Sequence, residues 1–258
     1  MALTQPIYLL LRKAWDANLL PQKGTILEFG EANWYGDMPI PALLADLAVV
    51  IKDEPRRSEI RDRIATLSND KPDGHLFAIA KLVYAALFQP QFLHAIDFHG
   101  TDAALRLDLN QPIALERQYD VTMNNGTAEH ILNIGQFLKT IHECTKPGGL
   151  MLHEAPFNGW IDHGFYTLQP TLFFDVAAAN QYDLLGLFYI DSVHHQIKQL
   201  PDRDAVIALT RAGEITSNAS LYAAMRKARE ERAFSYPFQG YYAGAISAEQ
   251  KKAWQELR

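Results

Sequence analysis

Short apolar runs of strand length alternate with longer stretches of helical periodicity along most of this chain, and that alternation constrains its fold more than any other feature. Residues 24–30 (GTILEFG) form an apolar run bounded by glycines, as a buried strand would. Residues 92–99 (FLHAIDFH), 104–110 (ALRLDLN), 119–125 (YDVTMNN) and 150–156 (LMLHEAP) read as four further strands, and 184–190 and 205–211 as two later ones. Helical patterns fall between them. One starts near Thr4, and Leu43, Leu44, Leu47, Val50 and Ile51 mark a second. Residues 56–68 carry a charged face, residues 75–88 are nearly apolar, and residues 136–146 end at Lys146-Pro-Gly-Gly, a basic last turn followed by helix stops. Ser247 with Gln250 makes a capping box for a short closing helix. Strands alternating with helices predict an α/β fold, a mostly parallel sheet with helices on both faces.

A length of 258 residues suits a single domain spanning 1–258. Within it, the helical segment 39–88 reads as an insertion between the first two strands of the sheet. The formal net charge of −6 gives no basic surface for nucleic acid or an anionic membrane. A single cysteine, Cys144, excludes an internal disulfide and points to a reducing, cytoplasmic setting. The apolar run near the N-terminus is short and is followed by Arg12-Lys13, which suits an amphipathic helix and not a signal peptide. No GxSxG elbow, GxxxxGK[ST] loop or GxGxxG fingerprint occurs, which argues against a serine hydrolase, a P-loop and a dinucleotide site.

In open α/β sheets ligands bind outside the carboxyl ends of the strands. Polar residues of this chain gather at those ends: Glu28 and Gly30, Asp97 and His99, Asp108 and Asn110, then Asn124-Asn125-Gly126, and His153 and Glu154. Asn-Gly commonly makes a hairpin turn. Here Thr127, Glu129 and His130 follow it instead of a returning strand, so the run ends at the rim of a site.

The order of these pieces resembles the class I S-adenosylmethionine-dependent methyltransferases, which are Rossmann-like. ILEFG looks like the first motif of that family, AIDFHG the second strand with its terminal acid, and LRLDLNQPI the third strand. YDVTMNNGTAEHI resembles the fourth motif, and FLKTIHECTKPGGLMLHEAP the helix and fifth strand. The resemblance implies S-adenosylmethionine as cofactor and S-adenosylhomocysteine as product. Asp97 would take the ribose hydroxyls and Asp108 the adenine amine, while Glu28 and Glu31 would anchor the loop at Gly30. Asn124, Asn125 and Gly126 would approach the methyl-bearing end. The first motif is degenerate, since Gly30 is followed by Glu31, Ala32, Asn33 and Trp34 and not by further glycines.

The acceptor, by the same resemblance, is a small molecule. Its pocket is expected from Trp34, Glu129, Asn158, Trp160, Tyr166 and Gln239, drawn from the strand tips and from the aromatic loops 156–174 and 235–242. His163 and His130 are the candidate bases for deprotonating it. The nine histidines do not form a recognisable ligand motif, so no metal residue is assigned. The alternatives are a non-catalytic cofactor-binding or scaffold protein of the same fold and, more weakly, a histidine-ligated metalloenzyme. Nothing in the sequence indicates an oligomeric state.

Overall fold

A computed structural model describes residues 1–257, which fall into two compact units, Met1–Leu107 and the remainder from Asp108 onward. The first unit contains β1 (Ala2–Leu3), α1 (Gln5–Asp16), β2 (Thr25–Phe29), β3 (Asn33–Trp34), α2 (Ile40–Val50), α3 (Glu54–Asp70), α4 (His75–Phe88) and β4 (Phe92–Ile96). β2 and β4 lie side by side and parallel, in register from Thr25 opposite Phe92 to Phe29 opposite Ile96. Every residue of β2 is buried, which is why it reads as one apolar run without alternation. Segment 39–88 is helical: α2, α3 and α4 occupy it, with Asp53 capping α3 by accepting from the Arg56 amide at 3.0 Å.

Residues 104–110 do not form the expected third strand. Leu105 makes one parallel bridge to Ile96, and there the pairing stops. The Arg106 guanidinium takes up the carbonyls of Asp97, Gly100 (2.9 Å) and Thr101 (3.0 Å), which folds the segment back on its own loop. Trp34 is not a pocket wall either. It sits in β3, paired to β1, only 1% exposed, with the Tyr8 ring edge-on at 6.0 Å. The bulky indole is core, packed against Tyr8 of α1.

The second unit contains β5 (Tyr119–Asn125), a 3-10 turn (Ala128–His130), α5 (Ile134–Cys144), β6 (Thr145–Asn158), α6 (Pro170–Asn180), β7 (Asp183–Asp191), β8 (Gln196–Gln199), α7 (Arg203–Arg211), β9 (Ala219–Arg226) and α8 (Ala248–Glu256). Its strands lie in the order β5-β6-β9-β7-β8. β5 and β6 are parallel and joined by α5, whereas β9 runs antiparallel to both β6 and β7, and β8 antiparallel to β7. So β5, β6 and β7 point one way while β9 and β8 return. Strand, crossover helix and parallel strand make this an α/β fold of Rossmann-like type. Among the described residues no helix is long and apolar enough to cross a membrane.

Residues 205–211, read as a strand, are helical α7. Asp202 caps it by accepting from the Ala205 amide at 2.9 Å, Asp204 lies in its first turn and Arg211 in its last, both favourable to the helix dipole. A short apolar run does not distinguish strand from helix by itself, and the flanking charges decide. The sequence did not announce β8 or β9, the latter an alanine-rich segment buried on both faces and therefore without alternation. The last turn of α5 is closed by Lys227, 1% exposed, whose Nζ donates to the carbonyls of His142 and Thr145 at 2.9 Å each. The capping box at α8 is present, with reciprocal Ser247–Gln250 bonds of 3.1 Å.

Candidate functional site

The rim of the first unit is built where β2 and β4 end. Gly30 follows β2 with φ of 88°, a conformation that favours glycine, and its amide donates to the Ile96 carbonyl at 2.8 Å. Asp97, half-buried, follows β4. Its two oxygens accept from the backbone amides of Glu31 (2.8 Å) and His99 (2.7 Å). The carboxylate thus ties the two strand-end loops together, and each oxygen keeps further acceptor capacity.

Glu31 and Glu28 behave differently from one another. Glu31 is buried and fully engaged: it accepts from the Thr101 amide (2.5 Å) and hydroxyl (3.0 Å) and pairs with Lys81 of α4. A Cβ on Gly100 would lie 2.5 Å from Glu31 Oε2, so the loop closes around this carboxylate. Glu31 is a tie within the rim and not an open ligand-binding group. Glu28 is equally buried. It accepts from the Ala32 amide (3.3 Å) and the Tyr84 hydroxyl, while Oε2 has no hydrogen-bond partner among the described residues. Burial lifts its pKa to about 8, and the charge of Glu31 adds to the rise. Lys81 and Tyr84 both belong to α4, so that helix furnishes part of this rim.

The rim of the second unit is built where β5 and β6 end. Asn124 is buried and caps the 3-10 turn, its Oδ1 accepting from the amides of Thr127 and Ala128 at 3.0 Å each. Asn125 is buried beside it. Gly126, at φ 78°, lets the chain turn while its amide donates to the Glu154 carbonyl at 3.1 Å. This is why the strand ends in two amides and a glycine: they convert β5 into a turn that presents Glu129 and His130. Glu129 is 1% exposed, and burial, with the nearby Glu154, raises its pKa to about 8. His130 lies low, through burial and the neighbouring His163. Asp108 is an exposed carboxylate in an Asx turn, bonded to the Asn110 amide (2.9 Å) and side chain (3.0 Å); the backbone bond first, then the side-chain bond, lower its pKa.

The second unit does not bring together all the expected acceptor residues and bases it contains. Glu129, His130, His163 and Trp160 cluster, with ring centroids 5.0 Å apart for His130–His163 and 5.3 Å for Trp160–His163. Tyr166 turns away, its hydroxyl donating to the Leu132 carbonyl at 2.8 Å. Asn158 and Gln239 instead line a cavity of about 490 Å³ with Phe157, Phe174, Arg203 and Trp254. Asp175 organises that cavity by binding both Arg203 and the Gly240 amide (2.9 Å). Sequence reading missed Arg203 and Trp254, since the first lay in an expected loop and the second in a terminal helix.

No protein-family model matches the chain, and no curated protein matches it in sequence. Solved structures resemble it loosely. An S-adenosylmethionine-dependent methyltransferase from Mesorhizobium loti aligns over 83% of this chain and 96% of its own, at 10% identity and TM-score 0.45. The Burkholderia thailandensis 1,6-didemethyltoxoflavin-N1-methyltransferase, solved with S-adenosylhomocysteine, aligns over 86% and 78%, at 12% identity and TM-score 0.36. The [4+2]-cyclase SpnF aligns over 88% and 82%, at 11% identity and TM-score 0.43. Likeness of that degree transfers no activity to this chain.

Proposed function

We propose that the chain is an S-adenosylmethionine-dependent methyltransferase acting on a small molecule, with S-adenosylhomocysteine as product. The observation that carries this reading is the rim of the first unit: a glycine at positive φ after β2 and a half-buried acid after its parallel neighbour β4. A carboxylate in that position suits the two hydroxyls of a ribose, and charge-assisted hydrogen bonds of that kind are strong. A dinucleotide would need the glycine turn to open a helix whose N-terminus takes the pyrophosphate. Here β2 is followed by β3, and no helix begins until Ile40. A nucleoside cofactor without phosphates has no need of that helix. The antiparallel β9 between β6 and β7 also departs from the doubly wound dinucleotide sheet.

When bound, the cofactor supplies an electrophilic methyl group on a sulfonium. The first unit offers Asp97 and the backbone at Gly30 to its ribose end. Within the second unit, His163 and His130 are the candidate bases for the acceptor's proton. Methyl transfer is an in-line displacement that needs chiefly orientation and, for a hydroxyl or ammonium acceptor, a base.

A second reading, a scaffold protein that does not turn over, is favoured by Glu31, whose carboxylate occupies the space beside Gly100 where an open motif would be empty. Calorimetry with S-adenosylhomocysteine tests the cofactor site that the methyltransferase reading requires. The wild type binds it, and Asp97→Ala loses about 1.5–3 kcal/mol, the scale of hydrogen bonds to a charged group. No binding by the wild type, or equal binding by the variant, overturns the reading.

A further inference from the structure

Glu129, His130 and His163 bring one carboxylate and two imidazoles from two segments of the second unit to one point. Glu129 Oε1 lies 3.9 Å from His130 Nε2 and 3.8 Å from His163 Nε2, and one ligand atom from each residue lies within 4.8 Å of the others. Those gaps are too wide for hydrogen bonds. They approach the separation of two ligands on one metal ion, about 4 Å at most for bonds of about 2.0–2.2 Å. The imidazoles are partly exposed, 37% for His130 and 43% for His163, so small rotations close the remainder.

The backbone at Glu129 is held in place. The Glu129 carbonyl accepts from the amides of Phe165 (2.7 Å) and Tyr166 (3.3 Å), which returns the 159–165 loop to the 3-10 turn. A Cβ on Gly164 would stand 2.9 Å from that carbonyl oxygen, so the close approach requires glycine. Trp160 and Asp162 sit at φ of 54° and 61°, strain of the kind stored at functional sites. Within this fixed frame Glu129 Oε2 is buried and has no hydrogen-bond partner among the described residues, and no Lys or Arg there pairs with the side chain. A buried carboxyl oxygen without a partner costs free energy, and a cation meeting it would remove that cost.

We propose that Glu129, His130 and His163 form a binding site for a divalent first-row transition-metal ion, with its remaining coordination positions open to water or a substrate oxygen. Two imidazoles and one carboxylate favour zinc, manganese, iron or cobalt over magnesium or calcium, which prefer all-oxygen shells. Three other histidines of this unit are engaged elsewhere. His142 is bonded to Tyr182 and the Arg232 carbonyl, His153 packs on Phe173, and His194 pairs with Asp191. The proposal does not depend on the methyltransferase reading. If both hold, an ion would occupy the imidazole lone pairs that a base needs, and acidify a bound acceptor hydroxyl in their place.

The test is titration calorimetry of the full chain, stripped with a chelator and dialysed, using zinc chloride, with cobalt chloride for absorption spectroscopy. One equivalent binds the wild type, and cobalt develops ligand-field bands of low coordination symmetry. His163→Ala, His130→Ala and Glu129→Gln each weaken binding by at least about 100-fold, since loss of a ligand costs no less than the 10–100-fold of outer-shell partners. His194→Ala leaves binding intact. The two cluster histidines are half-exposed, so their variants fold, which circular dichroism verifies. Absence of wild-type binding, unchanged binding in His163→Ala, or loss in His194→Ala overturns the site, whatever the outcome with S-adenosylhomocysteine.

Discussion

Replacing Glu28 by glutamine tests whether a neutral acid sits at the end of β2. The side chain is 1% exposed, and its pKa is raised from 4.5 to about 8, by burial first. Below about pH 4.5 the acid is neutral both folded and unfolded. Between 4.5 and 8 the unfolded chain releases the proton while the folded chain keeps it, so the folded state binds more protons and stability falls as pH rises. The gap of 8 − 4.5 = 3.5 units corresponds to a ceiling of ~5 kcal/mol, at 1.36 kcal/mol per unit. The glutamine side chain of Glu28→Gln keeps an acceptor for the Ala32 amide and the Tyr84 hydroxyl and cannot ionise. Urea denaturation followed by far-UV circular dichroism at pH 5 and pH 8.5 reads the difference. The two proteins should be of similar stability at pH 5, and Glu28→Gln should be more stable by a few kcal/mol at pH 8.5. Other buried acids, Glu129 among them, contribute equally to both and cancel. Parallel curves for wild type and variant would mean that Glu28 is ionised in the folded protein, and the reasoning would fail.

Trp34→Ala should cost about 3–5 kcal/mol of stability, the scale for deleting a large core aromatic, measured by denaturant unfolding. A loss below about 1 kcal/mol would return Trp34 to the pocket role that its position in the first motif suggested. Lys227→Met keeps the buried methylenes but removes the ammonium that bonds the His142 and Thr145 carbonyls, of which His142 keeps the Thr145 amide, so it should lower stability by about 1–3 kcal/mol. A melting temperature within a degree of wild type would show that the ammonium contributes nothing there.

The core of the fold was legible because β2, β5 and β6 are buried along most of their length and bounded by glycines, and because α4 is apolar almost from end to end. Legibility failed where one local pattern serves two structures. The Ala205–Ala208 run is as apolar as a strand, and only Asp202, Asp204 and Arg211 around it select a helix. β9 carries alanines at positions where a surface strand would alternate, so burial of both faces erased its signal. Residues 104–110 looked like a strand, but Arg106 spends its donors on loop carbonyls and leaves a single bridge.

The site residues show a further reason. A carboxylate at a strand tip is visible in sequence, but whether it faces a ligand or its own loop depends on partners far along the chain. Glu31 is taken by Thr101 and Lys81, and Asp97 by the amides of Glu31 and His99, so two acids of similar address differ in what they leave open. The same logic hides the histidine cluster. Glu129 and His130 are adjacent and look like the start of a helix, and His163 looks like one polar residue in an aromatic loop. No ligand spacing links them in sequence. They meet because Gly164 admits the Glu129 backbone and the Phe165 amide bonds to its carbonyl, so the backbone of one residue fixes where another residue's imidazole stands. A chain that spends a glycine and two strained residues on that approach, and then leaves a buried carboxylate oxygen unmatched at its centre, has built the frame for a cation before the cation arrives.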